Sequence, residues 1–136
     1  MAEAPLEVRL VATDREVWTG QASLVTLITA EGSVGIMARH SPLMAILQDG
    51  PILIRTLEGG DLMAAVHTGF AIVDSDQVII LAASAELAEE IDVDRAKALL
   101  AEAEASEPGP GRDAAERRAE TRIKLAAQAH SHLHRH

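Results

Sequence analysis

The chain has no cysteine, so disulfides, thiolate catalysis and zinc–thiolate centres are all excluded. Aromatic residues are nearly absent too: Trp18 and Phe70 are the only large rings, and tyrosine is missing. A core must therefore be built from Val, Ile, Leu and Ala. With apolar residues at 48%, there is enough of them to build one. Excess positive charge is also lacking. The formal net charge is −9 over 136 residues, whereas nucleic-acid binders carry a basic patch or stripe and stack bases on aromatic rings. No nucleic-acid partner is expected. No stretch approaches the roughly 20 apolar residues of a membrane span. Met1-Ala2-Glu3-Ala4-Pro5 lacks the basic start and apolar run of a signal peptide. These features predict a soluble, cytoplasmic chain that reaches a membrane only through another protein.

Composition changes near Ala85. Before it, glycine is frequent and β-branched residues dominate; after it come Ala, Glu, Arg and Leu. The first part reads as short strands. Leu6, Val8 and Leu10 alternate with Glu7, Arg9 and Val11. Residues 22–30, 52–57, 62–68, 70–73 and 78–82 are further strand candidates. Asp49-Gly50, Glu58-Gly59-Gly60-Asp61 and Asp74-Ser75-Asp76-Gln77 read as turns, and 31–35 as a two-glycine loop. No helix alternates with these strands, which argues for an antiparallel β-sandwich or barrel over residues 1–85 rather than a parallel sheet.

Residues 86–129 read as an antiparallel helical hairpin. Asp92 is a candidate N-cap. Val93, Ala96, Leu100 and Ala103, with Leu99 beside them, make one narrow apolar face. Ser106-Glu107-Pro108-Gly109-Pro110-Gly111 breaks the helix, so 106–112 is the predicted linker. Asp113 with Glu116 resembles a capping box opening a second helix to about Gln128. Both helices are alanine-rich and bury little area, which predicts a hairpin that docks weakly and can detach. Residues 130–136 form a histidine-rich tail, predicted to be disordered with only incidental metal affinity; no metal site is assigned.

No catalytic constellation is present. There is no phosphate loop and no nucleophile elbow. His40 and His67 fall in the strand region without a nearby acidic or nucleophilic motif, as expected of packed or surface histidines.

Three segments carry a family signature. The first is Val17-Trp18-Thr19-Gly20. The second runs Glu31-Gly32-Ser33-Val34-Gly35-Ile36-Met37-Ala38-Arg39-His40-Ser41-Pro42-Leu43. The third is Thr68-Gly69-Phe70-Ala71-Ile72-Val73, followed by Val78-Ile79-Ile80-Leu81-Ala82 and Ala85-Glu86 through Ile91-Asp92. In order and spacing across about residues 6–96, they resemble the epsilon-subunit family of F-type ATP synthases. The family's Leu-Pro-Gly before the histidine here reads Met37-Ala38-Arg39. A glycine-type backbone would strain Arg39, so the loop is expected to take another shape.

The resemblance implies a non-catalytic rotor subunit on the cytoplasmic face of a bacterial plasma membrane. It implies a sandwich held by the gamma subunit and the c-ring, and a hairpin that reaches the catalytic alpha/beta subunits to slow ATP hydrolysis. The matching interface residues are Glu31, Gly32, Ser33, His40, Pro42 and Leu43; alternatively, Pro42 and Leu43 only shape and pack the domain. Ser33 replaces an acidic residue of many members, which predicts a weaker c-ring contact. Some members bind regulatory ATP through an Ile-Asp-x-x-Arg-Ala motif. This chain matches it from Ile91 to Ala96, with Glu86 upstream and Arg118 and Arg122 one helical turn apart. The residues implied for ATP are therefore Glu86, Asp92, Arg95, Arg118 and Arg122. Guanidinium forks suit phosphate oxygens, and carboxylates suit ribose or adenine donors. The alternative is that Asp92 caps its helix, Arg95 pairs locally, and Arg117, Arg118 and Arg122 form a solvated face or meet the catalytic subunits. No cofactor is required under either alternative. The runner-up function is a free-standing ATP-sensing module.

Overall fold

The computed structural model describes residues 5–134, with side chains described to residue 128. Seven strands precede two helices: β1 Leu6–Ala12, β2 Glu16–Thr29, β3 Gly32–Ile36, β4 Leu43–Leu47, β5 Gly50–Thr56, β6 Gly60–Asp74 and β7 Gln77–Leu87. A 3-10 turn, Ala88–Glu90, leads into α1 Val93–Ala105 and α2 Pro110–His134. The expected β-sandwich followed by a helical hairpin is present.

Two long strands make the sandwich. β2 pairs with β1 through its first half and with β3 and β5 through its second. β6 pairs with β5 through residues 60–66, with β4 through 69–73, and with β7 along most of its length. One pairing departs from the antiparallel expectation: β1 lies parallel to β7. That contact joins the first strand to the last and needs no short connection. Alternation along β1 sends Leu6, Val8, Leu10 and Ala12 inward, where they meet Leu27, Ile36, Ile54 and Ile80 in an aliphatic core.

Several strand boundaries differ from the sequence reading. Residues 32–35, read as a loop, form β3, because the chain reverses within Ala30–Glu31 and Gly32 takes φ 121°. Gly69, read as a break, lies inside β6. A Cβ there would sit 2.9 Å from the Leu81 carbonyl oxygen, so glycine permits the close β6–β7 approach. The core-facing positions are 64, 66, 71 and 73 in β6 and 78, 80, 82 and 85 in β7. Both strands thus skip one position, and Thr68 takes φ 53° at that step.

Arg39 also departs from expectation. It keeps the left-handed backbone, at φ 69°, and its N–H donates to Asp76 Oδ1 at 2.6 Å. The loop therefore retains the shape a glycine would give it.

The hairpin folds down onto the sandwich. Asp92 caps α1 as expected, its carboxylate accepting from Arg95 N at 3.1 Å. α2 opens at Pro110 rather than Asp113: Asp113 N already donates to Gly109 O at 3.0 Å, and proline suits the first helical position. Glu116 then takes Arg112 Nε at 2.7 Å instead of closing a capping box. Nor is α2 clipped near Gln128. It continues to His134, because no glycine or proline follows Gly111 to stop it. Residues 130–134 are therefore helical where disorder was expected, and 135–136 lie outside the described residues. Ala96 and Ala103 of α1 pack toward α2, where Ala119 is buried. α2 meets the sheet through Leu125 and Ala126, which cover Met63, Ala65, Ala88 and Ile91.

Relief of the left-handed strain makes Arg39→Gly stabilising by about 1 kcal/mol. Ile54→Ala, emptying a fully buried site, costs about 2–5 kcal/mol. Urea unfolding of each variant measures both.

Candidate functional site

The non-core face of β6 is divided at Thr68, and each part carries a different surface. On the N-terminal side, Met63, Ala65 and His67 alternate outward and lie beneath α2. On the C-terminal side, Phe70 and Ile72 face out with no helix over them. Phe70 pairs across the sheet with Ile46 of β4 and Leu81 of β7, and Leu81 pairs with Val11 of β1. The next row joins Met44, Ile72 and Ile79. The first apolar row thus crosses four strands, and the second crosses three and ends at Arg9, the β1 partner of Ile79. Ile46 is 78% exposed and Met44 72%. An apolar patch left open in this way marks an interaction surface.

A groove of about 370 Å³ adjoins these rows, lined in part by Glu31, Val34, Leu43, Met44 and Ile46. Of the interface residues named from the sequence, Glu31 lies in the β2–β3 turn, Gly32 opens β3, and exposed Ser33 follows it. His40 Nδ1 lies 2.7 Å from Ser41 O in the loop before β4, and Pro42 is exposed. Leu43 leans on the sandwich core while lining the groove. Sequence reasoning missed Met44, Ile46 and the rows they start. The signal was there: two large apolar residues of Leu43-Met44-Ala45-Ile46-Leu47 must face out if Leu47 faces in.

The residues implied for nucleotide separate into two groups. Glu86, Arg118 and Arg122 come together at the seam between α2 and the sheet. Arg122 Nε donates to Glu86 Oε1, and Arg118 Nε donates to Asp49 Oδ2 at 3.3 Å. Asp49 also accepts the Thr68 N–H at 2.7 Å. Burial pushes the Asp49 carboxyl up, but the Thr68 and Arg118 hydrogen bonds more than offset it, and it lies below the usual carboxylate range. Asp92 and Arg95 remain apart, at the α1 cap. Arg118 and Arg122 also line a cleft of about 350 Å³ between the helices, with Leu99, Glu102 and Ser106.

Asp49 and His67 were not assigned to this seam from the sequence. His67 is 3% exposed, and neither ring nitrogen has a hydrogen-bond partner among the described residues. Burial holds its pKa below the ordinary histidine value, Arg122 and Arg118 push it lower, and Asp49 and Glu86 oppose them.

Arg15 of the β1–β2 turn donates twice to Glu90, both at 3.2 Å, which ties the 3-10 turn to the sandwich. No helix among the described residues is long and apolar enough to cross a membrane.

Residues 5–88 match the family model for the ATP synthase delta/epsilon chain, beta-sandwich domain. The chain is 47% identical over 124 residues to the ATP synthase epsilon chain of Streptomyces griseus, covering 91% of this chain and 97% of that one. It is also 47% identical over 100 residues to the epsilon chain of Rhodococcus opacus, covering 73% and 82%. Two solved structures share the fold. A chain of the Euglena gracilis mitochondrial ATP synthase OSCP/F1/c-ring structure matches with a TM-score of 0.69 at 23% identity, covering 98% of this chain and 84% of that chain. A chain of the Tetrahymena thermophila mitochondrial ATP synthase central stalk/c-ring structure matches with a TM-score of 0.60 at 20% identity, covering 95% and 98%.

At the seam, apolar contact outweighs charge. Leu125→Ala weakens hairpin docking by about 2–3 kcal/mol. A double-mutant cycle on the half-exposed Arg118–Asp49 pair gives about 1 kcal/mol or less. Protease cleavage within α2, followed against variant, compares the two.

Proposed function

The chain belongs to the epsilon-chain family of ATP synthases, and from that premise we propose that it is a non-catalytic rotor subunit of the central stalk, coupling proton flow to ATP synthesis. The observation that carries this reading is the pair of apolar rows across β4, β6 and β7, the first of which reaches β1. In this reading the gamma subunit covers those rows. Burial of Ile46, Met44 and Phe70 there supplies the attachment, at about 1.5–3 kcal/mol for each fully buried side chain.

The turn and groove around Glu31, Gly32, Ser33, His40, Pro42 and Leu43 face the c-ring. That contact holds the chain at the cytoplasmic face of the bacterial membrane without any span of its own. No side chain of this chain takes part in bond making; it transmits torque as a packed unit.

The hairpin regulates. Folded down, it occupies the sheet and leaves the catalytic alpha/beta subunits free. Released, α2 carries Arg117, Arg118 and Arg122 toward acidic surfaces of those subunits and slows hydrolysis. Among the described residues, the docked contact has one large buried apolar side chain from α2, Leu125, and two partly exposed ion pairs. An attachment of a few kcal/mol of that kind can open reversibly.

A second reading concerns regulatory ATP. The Ile91-to-Ala96 motif and the arginine-lined cleft between the helices favour it. Nucleotide phosphates there would compete with Asp49 and Glu86 for Arg118 and Arg122. Isothermal titration with millimolar ATP tests it, and no heat of binding rejects it.

The experiment for the main reading is ATP hydrolysis by an F1 complex containing gamma but lacking this subunit. Full-length chain and a version ending at Leu87 are added in parallel. Both are expected to bind, and only the full chain to slow hydrolysis. Binding without inhibition by either removes the regulatory role; no binding by either removes the rotor assignment.

A further inference from the structure

His67 stands out among the buried groups. It is the only polar side chain among the fully buried described residues. Its neighbours on β6 explain how it is covered. Ala64 and Val66 belong to the sandwich core, whereas Ala65 belongs to the cluster under Leu125 and Ala126 of α2. By strand alternation His67 shares the Ala65 face, so its lid is the hairpin and not the opposite sheet. Its cross-strand partner is Ser84, two residues from Glu86 on the same face of β7.

The charged groups around the ring come from every element at this seam. Arg118 and Arg122 approach from α2, Asp49 from the β4–β5 turn and Glu86 from β7. The two arginines are held by the two carboxylates. The ring therefore sits in a buried site, with neither nitrogen hydrogen-bonded among the described residues and two guanidinium groups nearby.

We propose that release of the hairpin is coupled to uptake of one proton by His67, so that acid opens the seam and neutral or alkaline pH closes it. A charged imidazolium is disfavoured while α2 lies over the ring, since it would lose its solvation and face two arginines that Asp49 and Glu86 only partly offset. When α2 lifts, water reaches both nitrogens and the ring regains an ordinary affinity for protons. The released state then binds more protons than the docked state, and docking weakens as pH falls. The window opens at the ordinary histidine value, about 6.5, and extends downward from there. Protonation of Asp49 acts in the same direction only in much stronger acid, because its carboxyl is held below the usual range. The coupling goes beyond the rotor reading and needs only the isolated chain, so the failure of one leaves the other standing.

Amide hydrogen exchange of the full-length chain between pH 8 and 5.5 tests it. Protection at Ile123–Ala126, corrected for intrinsic exchange, reads the opening of α2 even where opening is rare. Amides of Val8 and Leu10 read global unfolding and are expected to be better protected. The expected result is level protection of α2 above about pH 7, then a fall approaching tenfold per pH unit below about 6.5. His67→Gln, neutral at every pH, is expected to flatten that fall while histidines elsewhere are retained. A level profile in the parent chain overturns the proposal, and so does an equal fall in the variant, which would place the proton elsewhere. A second readout does not depend on the variant folding. In a chain locked shut by a disulfide between Met63→Cys and Ala126→Cys, NMR of the His67 ring is expected to show no titration near pH 6.5. Titration there in the locked chain overturns the proposal.

Discussion

The outer face of the β6–β7 layer has room for two partners, and the division at Thr68 decides which goes where. Up to His67 the face is small and apolar, with Ala65 letting α2 come close. Beyond Gly69 it is broad and apolar, with Phe70, Ile72, Leu81 and Ile79 standing out. Gly69 sits between the two because any larger residue would push β6 off the Leu81 carbonyl. One continuous pair of strands therefore holds an internal lid at one end and an open docking surface at the other. In the proposed function these are the regulatory and the mechanical halves of the subunit.

The two halves differ in strength for physical reasons. The sandwich is closed by two double-length strands and an aliphatic core, so it is a rigid body. Among the described residues, the hairpin buries mainly alanines between its helices and sets Leu125 and Ala126 on the sheet. Partly exposed ion pairs add about 1 kcal/mol or less each. In the proposed function, so light an attachment lets the lid lift without disturbing what lies beneath it. Arg15 and Glu90 join the 3-10 turn to the β1–β2 turn through a pair as exposed as those at the seam.

Much of this was legible in the sequence. The change of composition near Ala85 marked the end of the sandwich closely, as β7 ends at Leu87. Asp92 read as a cap and is one. What was not legible came from long-range pairing. The parallel contact of β1 with β7 has no local sequence signal. Gly69 looked like a break because a glycine demanded by close packing reads like one demanded by a turn. Arg39 holds a glycine conformation because Asp76, far along the chain, accepts its N–H. The end of α2 was placed early because the histidine-rich run reads as a tail, although nothing there stops a helix. At the seam, motif reasoning found Glu86, Arg118 and Arg122 but not Asp49 or His67. Asp49 is half of an ordinary turn signal, and a lone strand histidine gives no sign of what covers it.

In the proposed function, the free end of the β6–β7 face is where this chain is held. Hydrogen exchange with and without a gamma partner measures that directly. New protection is expected at residues 43–47 and 69–73, with residues 63–67 and the docked part of α2 unchanged. Protection confined to β3 and β5, or loss of protection along α2 with none gained on β4, would contradict it.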